Sequence, residues 1–442
     1  MHQIITLHEG AARMTSKDRP AETGLWQIAR IGSRDRVVAN AGRMAARHET
    51  AVADVARGVP RVAVRIVGDE LRPRGVVPGE IIVHRKDRAA AEKVLGDVLV
   101  RVDEPSCDLP VVKLVTEIHQ DRVDDALRRL NRAGVAANPN HVLPFAMRGK
   151  AGIAPGMASI GVRPADDTTG AGVRVVVIDT GIDAYAPKRE DGWLDDIEVT
   201  DENTDPLNVI NEEQGEHQAD GTPYLDDAAG HGSFVAGIIR QVAPACEVVM
   251  MRTLDSDGVG SEEALACAIL AAGRMKPRPA VINLSLGQES VGGRPPVALA
   301  AALESLDDDI IVVAAAGNTP DDEPTWPAGF RRVVAVAGLT GDGRPASWSK
   351  HGEWVDCAAV AEELVSTFVG GVENPARDSD GVPDTWSGPN PAAVWIGTSF
   401  AAPRIAGLIA AGVSAGMTPR DAYAALRRDA PHEPGYGHLI TG

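Results

Sequence analysis

Asp179, His231 and Ser399 each stand where a buried apolar run meets a helix-compatible one: Asp179 closes VRVVVID, His231 opens GHGSFVAG and Ser399 lies in GTSFAAP. Taken singly each is commonplace, because a strand-ending Asp or a Ser ahead of a helix is most often a cap, and a His before Gly a loop residue. Taken together they are the set that acyl transfer at neutral pH requires. A hydroxyl must lose its proton to a base, and an imidazole base needs a carboxylate to fix its tautomer and stabilise its cation. Asp, His and Ser follow one of the three chain orders in which unrelated folds carry that set. Asn318, which ends IIVVAAAGN, adds an amide donor for a tetrahedral oxyanion. The backbone N–H of Ser399, at the positive end of a helix, would be the second donor.

The elements that must bring these side chains together are legible from the apolar pattern. From Gly172 the chain alternates continuous Val/Ile runs (VRVVVID, EVVMMRTL, AVINLSL, IIVVAAAGN, RVVAVAG) with helical segments. Runs apolar at every position mean strands covered on both faces, hence a doubly wound, mostly parallel α/β sheet, whose ligands lie beyond the carboxyl ends of its strands. Upstream, residues 61–145 read as a small α+β, ferredoxin-like domain, with strands at VAVRIV, GEIIVHRKD, VVKLVTEI and VAANPNHVLPF. Its helices are AAAEKVLGDVL and DRVDDALRRLNRAG, the second with Val123, Ala126, Leu127 and Leu130 on one face and Gly134 as its stop. Residues 1–60 read as a partly helical arm, 146–171 as a Gly/Pro-rich connector and 172–442 as the large domain.

A chain of 442 residues, 44% apolar and 24% charged, has the size and composition of a two-part globular protein. Its net charge of −18 argues against a nucleic-acid partner. That charge is uneven, with a balance of +6 over residues 1–150 and −24 over 151–442, which suits either two parts that attract each other or an acidic surface that keeps the protein soluble. No run approaches the ~18 apolar residues of a membrane span, so no membrane partner is expected. The opening MHQIITLHEGAARMT lacks the pattern of a secretory signal; the expected location is the cytoplasm, with export by a nonstandard route as the alternative. Cys107, Cys246, Cys267 and Cys357 show no CxxC pair, and four free, mostly buried thiols are the expectation. No GxGxxG or GxxxxGK follows VRVVVIDTGID, which removes a nucleotide-binding protein from consideration.

Five motifs in order, VVVIDTGID, GHGSFVAGII, VINLSLG, VVAAAGN and GTSFAAPRIAG, resemble those of the subtilisin-like serine peptidases, the subtilases. The resemblance implies a serine endopeptidase acting on polypeptides, in which Asp179 orients, His231 is base and acid, Ser399 attacks and Asn318 stabilises the oxyanion. It also implies that Ser285, Leu286 and Gly287 pair with substrate as an added strand, while Ala315, Ala316 and Gly317 wall the primary pocket. No cofactor is required and no metal ligands are assigned. AGIIRQVAPACEVV leaves no room for the loop that holds calcium in many relatives, which speaks against calcium there.

GEIIVHRKD and GVAANPNHV resemble the first and last strands of the family's inhibitory prosegment, which implies a zymogen with an intramolecular inhibitor. Autocatalytic cleavage is then expected between about Val142 and Gly152. The rival reading is a latent scaffold whose peptidase fold is held inactive by an uncut front domain. Asp321, Asp322 and Glu323, just beyond Asn318, favour Lys or Arg at the cleaved position. Residues 190–227 hold 14 Asp+Glu and no Lys or Arg, which suits a solvated loop, a weak hard-cation site or a collar for basic substrates.

Overall fold

The computed structural model describes residues 65–67, 74–117, 123–144, 150–151 and 160–441, apart from 162, 165, 184–191, 200–223, 227, 256–257, 374–382 and 389. The expected arm at 1–60, most of the connector and most of the acidic insertion lie outside the described residues.

The front part opens with β1 (Arg65–Val67) and β2 (Arg74–His84), followed by α1 (Arg88–Leu95), β3 (Leu99–Asp103) and β4 (Val111–Thr116). It closes with α2 (Val123–Arg132) and β5 (Ala137–Pro144). Strands β5, β2, β4 and β3 pair antiparallel in that order. The sequence reading carried the first helix through to Leu99. Instead Gly96, at φ 57°, stops it after Leu95, and the chain re-enters the sheet as β3. Alternation along β2 decides what each face of the sheet covers. Ile81 and Val83 pack with Ala91, Leu95, Ala126, Leu127 and Leu130 of the two helices, whereas Ile82 points the other way, into the core of the large domain.

In the large domain the main sheet contains, among the described residues, β7 (Arg174–Asp179), β8 (Glu198–Val199), β9 (Glu247–Arg252), β11 (Val281–Leu284), β12 (Ile311–Ala315), β13 (Val333–Leu339), β14 (Cys357–Val360), β19 (His432–Glu433) and β20 (Gly437–Ile440). They run in the order β19-β20-β14-β13-β12-β11-β7-β9-β8, parallel except for the β19–β20 pair. Val175 and Val177 of β7 face a core shared with α3 (His231–Val242) and α6 (Thr398–Ser414), while Val176 and Ile178 face α4 (Glu262–Arg274) and α5 (Val297–Glu304). Burial on both faces is why the strand could be apolar at every position. The last helix is α7 (Pro419–Arg428).

The two parts are joined at three levels. Strand β10 (Val259–Ser261) of the large domain pairs antiparallel with Val142–Pro144 and so extends the front sheet. Helix α4 is capped by its own Ser261, but its Glu263 N–H also donates to Asn140 Oδ1 at 3.3 Å. At α5 the Val297 N–H donates to Asn138 Oδ1 at 2.7 Å, so side chains of β5 satisfy helix ends that would otherwise be open.

The third level overturns an expectation: Cys107, between β3 and β4, is disulfide-bonded to Cys267 on α4, 160 positions along the chain, with Cα atoms 5.6 Å apart. Pattern-matching for CxxC finds only partners close in sequence; this pair meets because the front sheet docks on α4. Cys246 and Cys357 are free and buried, and burial pushes both thiols up to about 12. Within the core that α4 shares with α5 and the main sheet, Ile269 of α4 is fully buried. Ile269→Ala is expected to destabilise the protein by about 2–5 kcal/mol, read as a fall in the urea midpoint at unchanged slope.

Candidate active site

The carboxyl ends of β7, β11 and β12 and the amino ends of α3 and α6 meet at one edge of the sheet, and every residue singled out by its chemistry lies there. Asp179 is the last residue of β7 and is fully buried. Its Oδ1 accepts the Thr180 N–H at 2.7 Å and lies 2.7 Å from Nδ1 of His231, also fully buried. A carboxylate at that distance is an acceptor, so Nδ1 carries the proton and Nε2 is the basic end. His231 is the first residue of α3, and the following glycine is obligatory: a Cβ on Gly232 would lie 2.0 Å from the Gly181 carbonyl oxygen. This close approach of α3 to the loop after β7 is what holds imidazole and carboxylate together.

Ser399, the second residue of α6, is fully buried, and Phe400 beside it has its ring 5.4 Å from the His231 ring. Trp395 meets the imidazole edge-on at 5.7 Å, and Phe234 and Phe368 complete the aromatic cluster. Ser399 Oγ donates to the Ser285 carbonyl oxygen at 3.0 Å, and Ser285 Oγ donates back to the Ser399 carbonyl oxygen at 2.6 Å. Asn283 Nδ2 in turn donates to Ser285 Oγ at 3.0 Å. The loop after β11 and the start of α6 are therefore latched to each other.

Asn318 is placed by Thr398. The Thr398 backbone N–H and hydroxyl both donate to Asn318 Oδ1, each at 2.9 Å, and Gly317 N–H donates to Thr398 Oγ1 at 3.0 Å. Because the backbone N–H can only donate, the atom facing it is the amide oxygen, which turns the –NH₂ end toward the other side. Neither Thr398 nor Asn283 was singled out from the sequence. Thr398 carries a signal in hindsight, a hydroxyl beside the serine within GTSFAAP; Asn283 sits inside an apolar strand and carries none.

The expected pocket walls divide. Leu286 is buried in the core, while a Cβ on Gly287 would meet Thr325 Cγ2 at 2.7 Å and the Trp326 carbonyl oxygen at 2.8 Å. A Cβ on Gly317, at φ 114°, would meet Lys350 Cδ at 2.9 Å. Thr325 and the stem of Lys350 therefore lie against these two glycines. Ala315 and Ala316 direct their methyls into hydrophobic core, so any wall they form is backbone.

Of the acidic residues beyond Asn318, Asp321 and Glu323 have cationic partners from this chain. Lys350, 4% exposed, donates through Nζ to Asp321, to Glu289 at 2.7 Å and to the Glu323 carbonyl oxygen at 3.1 Å. Arg74 of β2 reaches Glu289 at 3.0 Å and the Glu323 carboxylate at 2.7 Å. Among the described residues no group of three His, Cys, Asp or Glu is arranged to hold a metal ion.

The end of β5 and a short strand of the connector lie on this edge. Val142–Pro144 pairs with β10, which leads into α4, and β6 (Lys150–Ala151) pairs antiparallel with Val394–Trp395 of β18 (Ala392–Trp395), which leads into Ser399.

Residues 170–439 match the Subtilase family. Over 266 residues the chain is 28% identical to the thermophilic serine proteinase of Bacillus sp. (strain AK1), a match covering 60% of this chain and 58% of that one. Over 252 residues it is 29% identical to subtilisin BL of Lederbergia lenta, covering 55% and 76% respectively. The solved structure of fervidolysin from Fervidobacterium pennivorans, described as a keratinolytic enzyme related to subtilisin, superposes with a TM-score of 0.55. That superposition covers 82% of this chain and 60% of fervidolysin at 19% identity, and is a likeness of fold. The chain thus spans less than two thirds of the length of the first of these relatives.

The Thr398–Asn318 contact is testable in steady-state peptide hydrolysis. Thr398→Ala is expected to lower kcat about 10- to 100-fold with KM little changed, less than the 10²–10³-fold typical for outright loss of an oxyanion donor. Thr398→Ser, which keeps the hydroxyl, should restore most of the rate.

Proposed function

Because this chain belongs to the subtilase family, we propose that it is a serine endopeptidase made as a self-inhibited precursor. The observation that carries the proposal is the 2.7 Å contact of buried Asp179 with His231 Nδ1, at the edge where Ser399 lies in the first turn of α6. An extended polypeptide would bind as an added strand along β10 and Ser285–Gly287, held by its main chain. His231 Nε2 takes the Ser399 proton as Oγ attacks the scissile carbonyl, and Asp179 stabilises the imidazolium. Asn318 Nδ2 and the Ser399 N–H, at the positive end of α6, receive the oxyanion. The imidazolium then protonates the leaving amine, and water repeats the sequence to free the acyl group.

On this reading residues 61–145 are a prosegment-like inhibitor, 146–171 a connector and 172–442 the peptidase domain. Support comes from the pairing of Val142–Pro144 with β10 and of Lys150–Ala151 with β18, on either side of residues 145–149. Val142–Pro144 and Lys150–Ala151 thus flank the expected cut and pair with the strands that lead to α4 and to Ser399. The wild type is expected to be cut between Val142 and Gly152, while Ser399→Ala stays whole; intact-mass measurement of both proteins decides, and equal uncut masses would refute self-cleavage.

Charge sets the expected selectivity. Glu289, Asp321 and Glu323 share two cations, Lys350 and Arg74, and departure of the front domain removes Arg74 and leaves one. A basic substrate side chain would restore the balance at this cluster. In a peptide-library digest, cleavage beside Lys or Arg is expected to exceed that beside Phe or Leu, and Glu323→Gln to narrow the difference. A preference for Phe or Leu would overturn it.

A further inference from the structure

The Cys107–Cys267 bond lies across the docking face between the front domain and the large one, so its state decides whether cutting the connector separates them. It forms one of two covalent links between the halves, the other being the connector itself. The surrounding contacts hold the same face without covalent help. Lys113 Nζ meets Glu263 at 2.8 Å, and Glu262, fully buried, accepts Asn138 Nδ2 and the His141 Nδ1 proton, each at 2.7 Å. The Val291 N–H donates to His141 Nε2 at 3.1 Å.

The bond also lies near the surface. Both cysteines are half-buried, their neighbours Ser106 and Asp108 are exposed, and the Ser106 hydroxyl lies 3.5 Å from the Cys267 sulfur. The other two thiols are enclosed in the core and are not placed to take part in exchange.

We propose that Cys107–Cys267 is a thiol-exchange site that retains the front domain after the connector is cut, so that its release requires a dithiol reductant. The inhibitory consequence rests on the precursor reading above; the covalent retention does not. A reductant thiolate attacks one sulfur, the S–S bond breaks, and the other sulfur leaves as a thiolate that takes up a proton. The second reductant thiol then attacks the mixed disulfide, freeing the second cysteine as a thiol and leaving the reductant as its own disulfide. Two electrons pass from the dithiol to the protein, and nothing else is consumed. Until then the cut domain stays at an effective concentration on the order of millimolar, and dilution does not remove it. In an oxidising compartment the pair closes, whereas in a reducing cytoplasm it stays open and only the polar contacts hold.

The first test needs no activity. In Ser399→Ala protein, residues 145–149 are replaced by the recognition sequence of an added site-specific protease, and the protein is cut after preparation under oxidising conditions. Denaturing electrophoresis should then show one species of full mass without reductant and two with dithiothreitol, while a Cys107→Ser version separates in both. Two fragments without reductant, with four alkylatable thiols on unfolding, would overturn the proposal.

In the second test the self-cut wild type is assayed with a chromogenic peptide. Dithiothreitol should raise hydrolysis at least ~10-fold, and about 100-fold dilution without reductant should not. Cut Cys107→Ser protein should be active on dilution without reductant. Full activity of the oxidised, cut wild type would sink the lock while retention stands. No hydrolysis even after reduction and physical separation of the front domain would sink the peptidase reading and the lock with it, again leaving retention as the first test finds it.

Discussion

A carboxylate and an imidazole, both fully buried and 2.7 Å apart, set the terms for the rest of this molecule. Such a pair is expensive to remove from water and is kept only where the backbone holds both partners without slack. Here the backbone does so by contact: the main chain at Gly232 touches that at Gly181, and the Gly232 N–H donates to Thr180 Oγ1 at 3.0 Å. The start of α3 is thereby fixed to the end of β7. The rings of Trp395 and Phe400 pack against the imidazole, and Phe234 packs against both of them.

The second constraint is the open end of a helix. Helices α4 and α5 point their amino ends at the front sheet, and Asn138, Asn140 and Glu262 satisfy N–H groups there; Glu262 Oε1 accepts the Ala298 N–H at 2.9 Å. The same strand, β5, continues directly into pairing with β10. Domain docking, helix capping and placement of the linking segment along the site are therefore one structural event, carried by a strand of eight residues. Electrostatics favours it as well, since a basic front meets an acidic back and Arg74 and Lys113 enter ion pairs with carboxylates of the large domain.

By itself the sequence determined the doubly wound sheet, because strands buried on both faces must be apolar throughout, and it placed Asp179, His231, Ser399 and Asn318 at strand ends and helix starts. It also pointed to a front segment built as a sheet with two helices on one side, from the βαββαβ-like order of its segments and the apolar face of α2. These are local properties, written in periods of two and 3.6 residues. Only the tertiary structure decided who meets whom: Thr398 with Asn318 across 80 positions, Arg74 with Glu323 across 249, and Cys107 with Cys267 across 160. A side chain's period says which way it faces; its partner is set by the docking of separate elements, and no local pattern of residue types records that.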